Sequence, residues 1–520
     1  MAGRPLFHPL FPDRPWLTDF LALVAGLLMP LALAPFNLWW SSTIGLLLLL
    51  SVIQAAPNRR ALWRWYLFGL GHYVFAASWI YVSINTHGGA SPLLAGLLVF
   101  LFAAGLSLLF LLNGLALQFV TPADSKPLGS WFALLGAFPA LWLFREWTTT
   151  WLLTGFPWAL SGYGHLVTPL SGWAPVVGVL GVGYLSTLLA ALVFAGLTSR
   201  GRTRWLLLFV ASLPALTGFA LSRVSFTQAD GPAVSVSLVQ GNIAQETKWR
   251  RSSVQPILNR YTELTASEWG RDILVWPEAA VTLFHDSAEP FLAALDQRGQ
   301  NAGSALLLGM PSRDEQSYFN SAVVVGDGSG FYQKRHLVPF GEYVPLESVL
   351  RGVIKFFDLP MSRNRPGPDE QVALILRGLP VTLSICYEVV FPDLVRQGAA
   401  DSALLITISN DTWFGRSIGP HQHLQMAQMR ALENGRYLIR ATNNGLTAVI
   451  DPGGRVVKQL PQFEPAVLRG QVTPYAGATP YTMAGDMPLL LGLGLLLLIH
   501  RFRTGSGIVP VRRSDPSNGE

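Results

Sequence analysis

Apolar stretches long enough to cross a bilayer recur through the first 221 positions, and they constrain the fold more than any other feature. A helix rises about 1.5 Å per residue, so about 20 apolar residues match the hydrocarbon thickness. Such stretches run over Trp16–Ala34, Leu38–Ile53, Leu62–Ile84, Pro92–Phe119, Trp131–Trp147, Pro169–Leu197 and Trp205–Leu221. An eighth, Met487–His500, is shorter and leucine-dense. Half of the 520 residues are hydrophobic and only 13% are charged, well under the share typical of a soluble globular chain. Residues 1–221 therefore read as a seven-span, multi-pass α-helical membrane domain, and 487–501 as an eighth span. The first span is not a cleaved signal peptide: its apolar run is long, and a second span follows the turn at Pro35-Phe36-Asn37.

The loop charges alternate. Arg4 and Arg14 precede the first span, and Arg59, Arg60 and Arg64 lie between the second and third. Lys126 lies between the fourth and fifth, and Arg200, Arg202 and Arg204 between the sixth and seventh. Arg501, Arg503, Arg512 and Arg513 follow the eighth. The other connections, Ala34–Asn37, Asn85–Ser91 and Thr148–Thr168, carry no Lys or Arg. Positive loops mark the cytoplasmic side, so both termini and the tail 502–520 are expected there, with residues 222–486 outside. The net charge of +6 is not a nucleic-acid signature, because the basic residues sit beside apolar runs.

Between Ser222 and Asp486 the pattern changes to short β-rich runs with interleaved helical segments. Strands are expected at Val234–Val239, Ile273–Trp276, Ala305–Leu308, Ala322–Val325, Val372–Leu376, Val381–Ile385, Leu404–Ile408 and Thr447–Ile450. Asp451-Pro-Gly-Gly454 reads as a hairpin turn leading to Arg455-Val-Val457. Helices are expected at Ser253–Glu268, Pro290–Gln300 and Gln422–Asn434. This is one mixed α/β domain. The segment Arg512–Glu520 reads as a disordered tail.

Three strand ends carry chemistry. Val381–Glu388 delivers Cys386, the only cysteine, which excludes an internal disulfide and a cysteine-based zinc site. Ile273-Leu-Val-Trp-Pro-Glu278 presents a carboxylate, and Phe331–Glu342 presents Lys334 and then Glu342. Thiol, carboxylate and amine together could supply a nucleophile, a base and an oxyanion donor. Glu388, two residues after Cys386 on a strand, is expected to face the same way as the thiol, and Tyr387 the opposite way. An ordinary ion-pairing carboxylate is the alternative to a role in the site for each of Glu342 and Glu388; the functional reading is favoured for Glu342 and level with it for Glu388. His421 and His423 do not share a helix face, and no third ligand is evident, so a metal site is not expected.

The motifs Trp276-Pro-Glu278, Lys334-Arg-His-Leu-Val-Pro-Phe-Gly-Glu342 and Cys386-Tyr-Glu388 resemble the Glu–Lys–Cys triad of the nitrilase (carbon–nitrogen hydrolase) superfamily, in that family's order. Ser409-Asn-Asp-Thr-Trp-Phe-Gly415 and Ala441-Thr-Asn-Asn-Gly445 resemble two further signatures of it. Such a domain between seven spans and one resembles a single membrane family, the apolipoprotein N-acyltransferases of the bacterial inner membrane. Val239-Gln-Gly-Asn-Ile243, Trp249, Pro339–Pro345 and Gly419-Pro-His-Gln-His423 are also similar to that family.

The resemblance implies an α/β nitrilase-like αββα sandwich, periplasmic and anchored in the inner membrane. It implies a ping-pong reaction: a fatty acyl group leaves a phospholipid, forms a thioester on Cys386, and ends on the α-amine of a lipoprotein's diacylglyceryl cysteine. Glu278 would be general base and acid, and Lys334 the oxyanion donor, with Glu342, Glu388 and Tyr387 in support. Trp249, Asn320 and Trp413 match positions of substrate contact; a packed tryptophan and a turn-capping asparagine account for Trp249 and Asn320 equally well. The implied partners are the phospholipid donor, the diacylated acceptor and the bilayer. A monomer without cofactor, metal or nucleic acid is expected.

Arg145-Glu146 closes the fifth span, where a charged pair either binds a lipid headgroup or pairs with itself. The uncharged loop Trp151–His165, with Phe156, Trp158 and Tyr163, reads as an acyl-chain entrance or as an aromatic belt. The triad alone also fits a membrane-anchored amidase or other hydrolase, with water taking the thioester. Eight spans argue for a bilayer-resident substrate instead. A transporter is disfavoured, because the spans carry few intramembrane charges and no matching pair of broken helices.

Overall fold

The structure is a computed structural model and describes residues 14–505 apart from 55, 122–127, 129, 316 and 345–363. Arg4, Lys126, Pro345, Arg512, Arg513 and the expected tail Arg512–Glu520 lie outside the described residues.

A helix stands at each of the eight apolar segments. They are Pro15–Leu28, Trp39–Gln54, Asn58–Ala76, Pro92–Val120, Phe138–Thr148, Ala174–Thr198, Gly201–Leu221 and Met487–Gly505. By length and composition four are capable of crossing a membrane: Pro15–Ala32, Pro92–Val120, Pro169–Thr198 and Gly201–Leu221. A fifth is gained if the bent pair Asn58–Ala76 and Ile80–His87 counts as one span. That pair turns by 58°, so the third segment is not the straight rod that uninterrupted apolarity suggests. The sixth breaks too, at Gly178, whose φ of 65° an L-residue adopts only with strain. Arg64, read as a loop charge, is buried and paired with Asp19 at 3.0 Å.

Beyond residue 222 two sheets stack. One has the strand order Ala466–Val472, Val234–Gln240, Ile273–Val275, Ala305–Arg313, Tyr318–Gly326, Phe331–Gln333. The other runs Val456–Gln459, Ala448–Ile450, Leu438–Thr442, Leu404–Ser409, Leu379–Ile385, Leu374–Leu376, Gly328–Ser329. Three neighbouring strands pair in parallel at the heart of each sheet, which leaves their carboxyl ends on one edge.

Val236, Ile273 and Leu307 from the first sheet meet Leu383, Ile406 and Ile439 from the second in one apolar cluster, so the sheets pack face to face. The first sheet's outer face is covered by Val254–Thr265 and Glu289–Ala302. The second sheet's is covered by Pro392–Ala399 and Gly419–Asn434. This is the αββα sandwich. The Ala466–Val472 strand has no counterpart among the expected strands, whereas the Asp451–Gly454 turn does join an antiparallel pair.

The two outer layers differ. Residues of Gly419–Asn434, such as Leu424, Met426 and Met429, belong to the same apolar cluster as Leu46, Phe68 and Trp142 of the helical bundle. Polar bonds reinforce the seam. Ala34 N–H donates to Gln425 Oε1 at 2.9 Å, Trp158 Nε1 to Gln422 Oε1 at 2.7 Å, and Val179 N–H to Glu433 Oε1 at 2.7 Å. The last bond supplies an acceptor to the helix freed by the break at Gly178.

Candidate active site

Glu278 follows the Ile273–Val275 strand, where Pro277 ends the ladder. The turn is tight: a Cβ on Gly309 would stand 2.7 Å from the Pro277 carbonyl oxygen, so only glycine fits there. One oxygen of Glu278 accepts from Asn320 Nδ2 at 2.7 Å, and the other from the Asn410 backbone N–H at 2.7 Å. Lys334 follows the Phe331–Gln333 strand and is 1% exposed. Its Nζ lies 2.7 Å from Glu342 Oε2 and 3.8 Å from Glu278 Oε1. Asn320 ties the acids together, since its Nδ2 also reaches Glu342 Oε1 at 2.8 Å. Burial disfavours the Lys334 ammonium, but Glu342 and then Glu278 outweigh it, and the lysine holds its proton more tightly than usual.

Cys386 ends the Leu379–Ile385 strand with φ of 54°, a left-handed conformation costing about 1–3 kcal/mol outside glycine. The strand does not continue: Cys386–Val390 is a turn of 3₁₀ helix. The alternation argument for Glu388 and Tyr387 therefore fails. Glu388 instead folds back beneath the turn, fully buried. Its Oε2 accepts from the Ile385 N–H at 2.7 Å, and its Oε1 from the N–H groups of Arg335 (2.6 Å) and His336 (3.1 Å) and from Tyr332 OH (2.9 Å). One carboxyl group thus pins the segment that carries Cys386 to the segment that carries Lys334. Tyr387 is buried and donates to the Gly155 carbonyl at 3.0 Å, in the loop after the fifth apolar segment.

The thiol's surroundings favour its neutral form. Burial pushes the Cys386 thiol up, the Glu278 charge adds to that, and Lys334 pulls the other way without prevailing. A thiol so placed is protonated at neutral pH and needs a base to become nucleophilic. Glu278 is the carboxylate whose charge acts most strongly on it.

His423 is fully buried, with Nε2 at 3.1 Å from the Cys386 carbonyl oxygen and Nδ1 facing Arg440 at 3.0 Å and Asp411 at 3.1 Å. Burial, then Arg440, lowers its proton affinity. The neutral ring that donates from Nε2 and accepts at Nδ1 satisfies both Cys386 and Arg440. It braces the strained cysteine from behind. Arg440 Nη2 in turn donates to Asp411 Oδ2 at 2.7 Å, with both side chains fully buried. Burial alone would raise the Asp411 carboxyl; Arg440 and the donors around it outweigh burial and leave it well below the usual carboxylate range.

Removing Asp411 strands the Arg440 charge, so Asp411→Ala should cost about 3–5 kcal/mol. Chemical denaturation of the full chain in detergent checks this. Because folding lowers the proton affinity of Asp411, its stabilising contribution is complete at neutral pH and is lost only as acid titrates the folded carboxylate.

The remaining candidates fall into two groups. Asn320 touches both acids. Trp249 is 42% exposed, and Trp413 faces His87 with ring centroids 5.5 Å apart while its carbonyl accepts from Ser83. Trp158 is fully buried, 4.4 Å from the Trp79 ring, so it is a wall of the domain junction. Arg145 and Glu146 face the bundle interior, where they pair at 3.1 Å. Glu146 Oε1 also accepts from Trp142 Nε1 and from Ser161. In the loop after them only the tip is open: Trp151 is half-exposed and Leu153 is 90% exposed. Among the described residues no group of three or more His, Cys, Asp or Glu side chains is arranged to hold a metal ion.

The two-sheet sandwich is the fold of a carbon–nitrogen hydrolase domain, and a family model of that description matches residues 235–481. A model of the apolipoprotein N-acyltransferase N-terminal domain matches residues 25–192. An apolipoprotein N-acyltransferase of Pseudomonas paraeruginosa is 46% identical over 494 residues, covering 94% of this chain and 96% of its own. Another, of Azotobacter vinelandii, is 47% identical over 491 residues, covering 93% and 94%. Among solved structures, a CN-hydrolase superfamily protein of Xanthomonas campestris aligns at 18% identity with a TM-score of 0.37, over 53% of this chain and 96% of that one. The chain belongs to the apolipoprotein N-acyltransferase family. It is an acyltransferase, and the amidase alternative is not favoured.

Proposed function

We propose that this enzyme moves a fatty acyl chain from a membrane phospholipid to the α-amine of an N-terminal diacylglyceryl cysteine, through a thioester on Cys386. The supporting observation is the meeting of three strand ends: Cys386, on whose thiol the Glu278 charge acts, a Glu278 carboxylate that two hydrogen bonds hold in place, and a buried ammonium 3.8 Å from that carboxylate. Glu278 takes the thiol proton as sulfur attacks the donor's ester carbonyl. The negative charge that forms on the carbonyl oxygen is met by Lys334. The tetrahedral adduct expels the lysophospholipid alkoxide, which receives the proton from Glu278, and the thioester remains. In the second half the acceptor amine attacks the thioester carbonyl, Glu278 removes the amine proton, and the Cys386 thiolate leaves and is reprotonated.

The loop charges favour an inner-membrane orientation with both termini cytoplasmic and the catalytic domain periplasmic. The apolar tip at Trp151–Leu153, joined to the site through the Tyr387–Gly155 bond, is suited to meet acyl chains at the membrane surface.

Intact-protein mass spectrometry after incubation with phospholipid vesicles, followed by a chase with a diacylated lipopeptide, tests the reading. A hydroxylamine-labile acyl adduct that moves to the peptide amine is expected. An adduct that decays at the same rate without the lipopeptide would establish hydrolysis and overturn the proposal.

A further inference from the structure

Lys248, the last residue of the short Gln245–Lys248 helix, is 1% exposed. Its Nζ donates to the backbone carbonyl of Glu278 at 3.3 Å. That is a single neutral partner for a buried ammonium, an arrangement that needs a nearby negative charge to persist. Burial pulls the Lys248 proton affinity down, to about 8, and the charge that opposes burial is that of Glu278. The helix is fixed to the site by a second bond: Asn410 Nδ2 donates to Gln245 Oε1 at 2.9 Å, and the same Asn410 gives its backbone N–H to Glu278.

Counting charges gives this lysine its meaning. Glu278 and Glu342 compete for Lys334, which sits 2.7 Å from Glu342 and 3.8 Å from Glu278. One ammonium cannot neutralise both acids, and it is closer to the one without a role in proton transfer. Lys248 brings a second positive charge to Glu278, at its backbone carbonyl, and the Glu278 charge acts on it. Among the described residues, the other titratable group on which the Glu278 charge acts is Cys386, at the end of a strand of the second sheet, and it supplies no cation. Glu246, next to Lys248 on its helix, is 3.4 Å from His87 instead.

We propose that Lys248 is a positioning residue for acyl transfer, whose buried charge is set against that of Glu278 and leaves Lys334 available to the oxyanion. This rests on the reading of Glu278 as the general base. A cation taken from beside a carboxylate strengthens that carboxylate's hold on a proton. Loss of Lys248 therefore moves the acid limb of the reaction to higher pH.

The test is the rate of thioester formation against pH, using full-length protein and phosphatidylethanolamine vesicles. Lys248→Gln keeps a donor for the Glu278 carbonyl and removes the charge, and Lys248→Met removes both. In each the acid limb should rise by about one pH unit, so that the rate falls about tenfold more on the acid limb than at alkaline pH. Lys248→Arg, which keeps the charge, should hold the limb near its original position. A purely structural role would lower the rate equally at all pH values, and an unshifted limb in the neutral variants overturns the proposal. Glu278→Gln separates the two readings. If that variant forms thioester at the normal rate, the base assignment itself fails; if it is inactive while the Lys248 limbs are unshifted, only the role of Lys248 is lost.

Discussion

Replacing Cys386 by alanine should end acyl transfer, by a factor on the order of 10⁴ or more, while leaving the protein folded. Alanine shares the Cβ of cysteine, so the left-handed backbone at this position is no more strained after the change. The bonds that hold the turn run to backbone atoms: Glu388 to the Ile385 N–H, and His423 to the Cys386 carbonyl. None requires sulfur. No second thiol exists to take over, since Cys386 is the only cysteine in 520 residues. Intact mass after exposure to phospholipid reads the outcome. An acyl adduct on the alanine variant, or lipopeptide transfer at more than a trace, would remove Cys386 from the nucleophile role.

Glu278→Gln should be almost as damaging, for a different reason. The amide has nearly the shape of the carboxylate, yet both Glu278 oxygens accept N–H donors, from Asn320 and from Asn410. The amide nitrogen must face one of them, donor against donor, at a stability cost of about 1–3 kcal/mol. The larger effect is chemical. The surroundings of the part-buried thiol favour its protonated form, and glutamine cannot accept its proton, so thioester formation should slow by about 10²–10⁴-fold. Rapid-quench measurement of the adduct isolates this step from the second. A variant that reached a normal adduct yield at a normal rate would exclude Glu278 as the base.

Much of this site is legible in the order of residues along the chain. Proline and the strand ends place Glu278, Lys334 and Cys386 just after strands, the first two on one sheet and the third on the other, because such breaks are local. The apolar segments are equally local, and each holds a helix. What escapes the sequence is everything decided by partners remote along it. His423 reads there as half of an improbable metal site; its task is set by Cys386, Asp411 and Arg440, which reach it from three other segments. Lys248 carries no local signal, since its meaning comes from a carbonyl thirty residues away. Strand alternation misplaces Glu388, because it assumes that the strand goes on. The strand stops at Ile385 because the carboxyl of Glu388 returns to bind it. The bend between Ala76 and Ile80 is likewise invisible, because hydropathy records how apolar a segment is and not which way its axis points.

One consequence follows from the helix Gly419–Asn434, whose side chains share a single apolar cluster with the helical bundle. In a free-standing sandwich that layer would meet water and carry a polar outer face. Here it has no outside: the wall behind Cys386 is also the wall of the helical bundle. His423, which braces Cys386, projects from the same helix that Ala34, Trp158 and Val179 grip from the other side. The catalytic half is therefore not cargo carried by an anchor. The bundle is a fifth layer laid on the sandwich, and Gly419–Asn434 is the rod that links it to the backbone of Cys386.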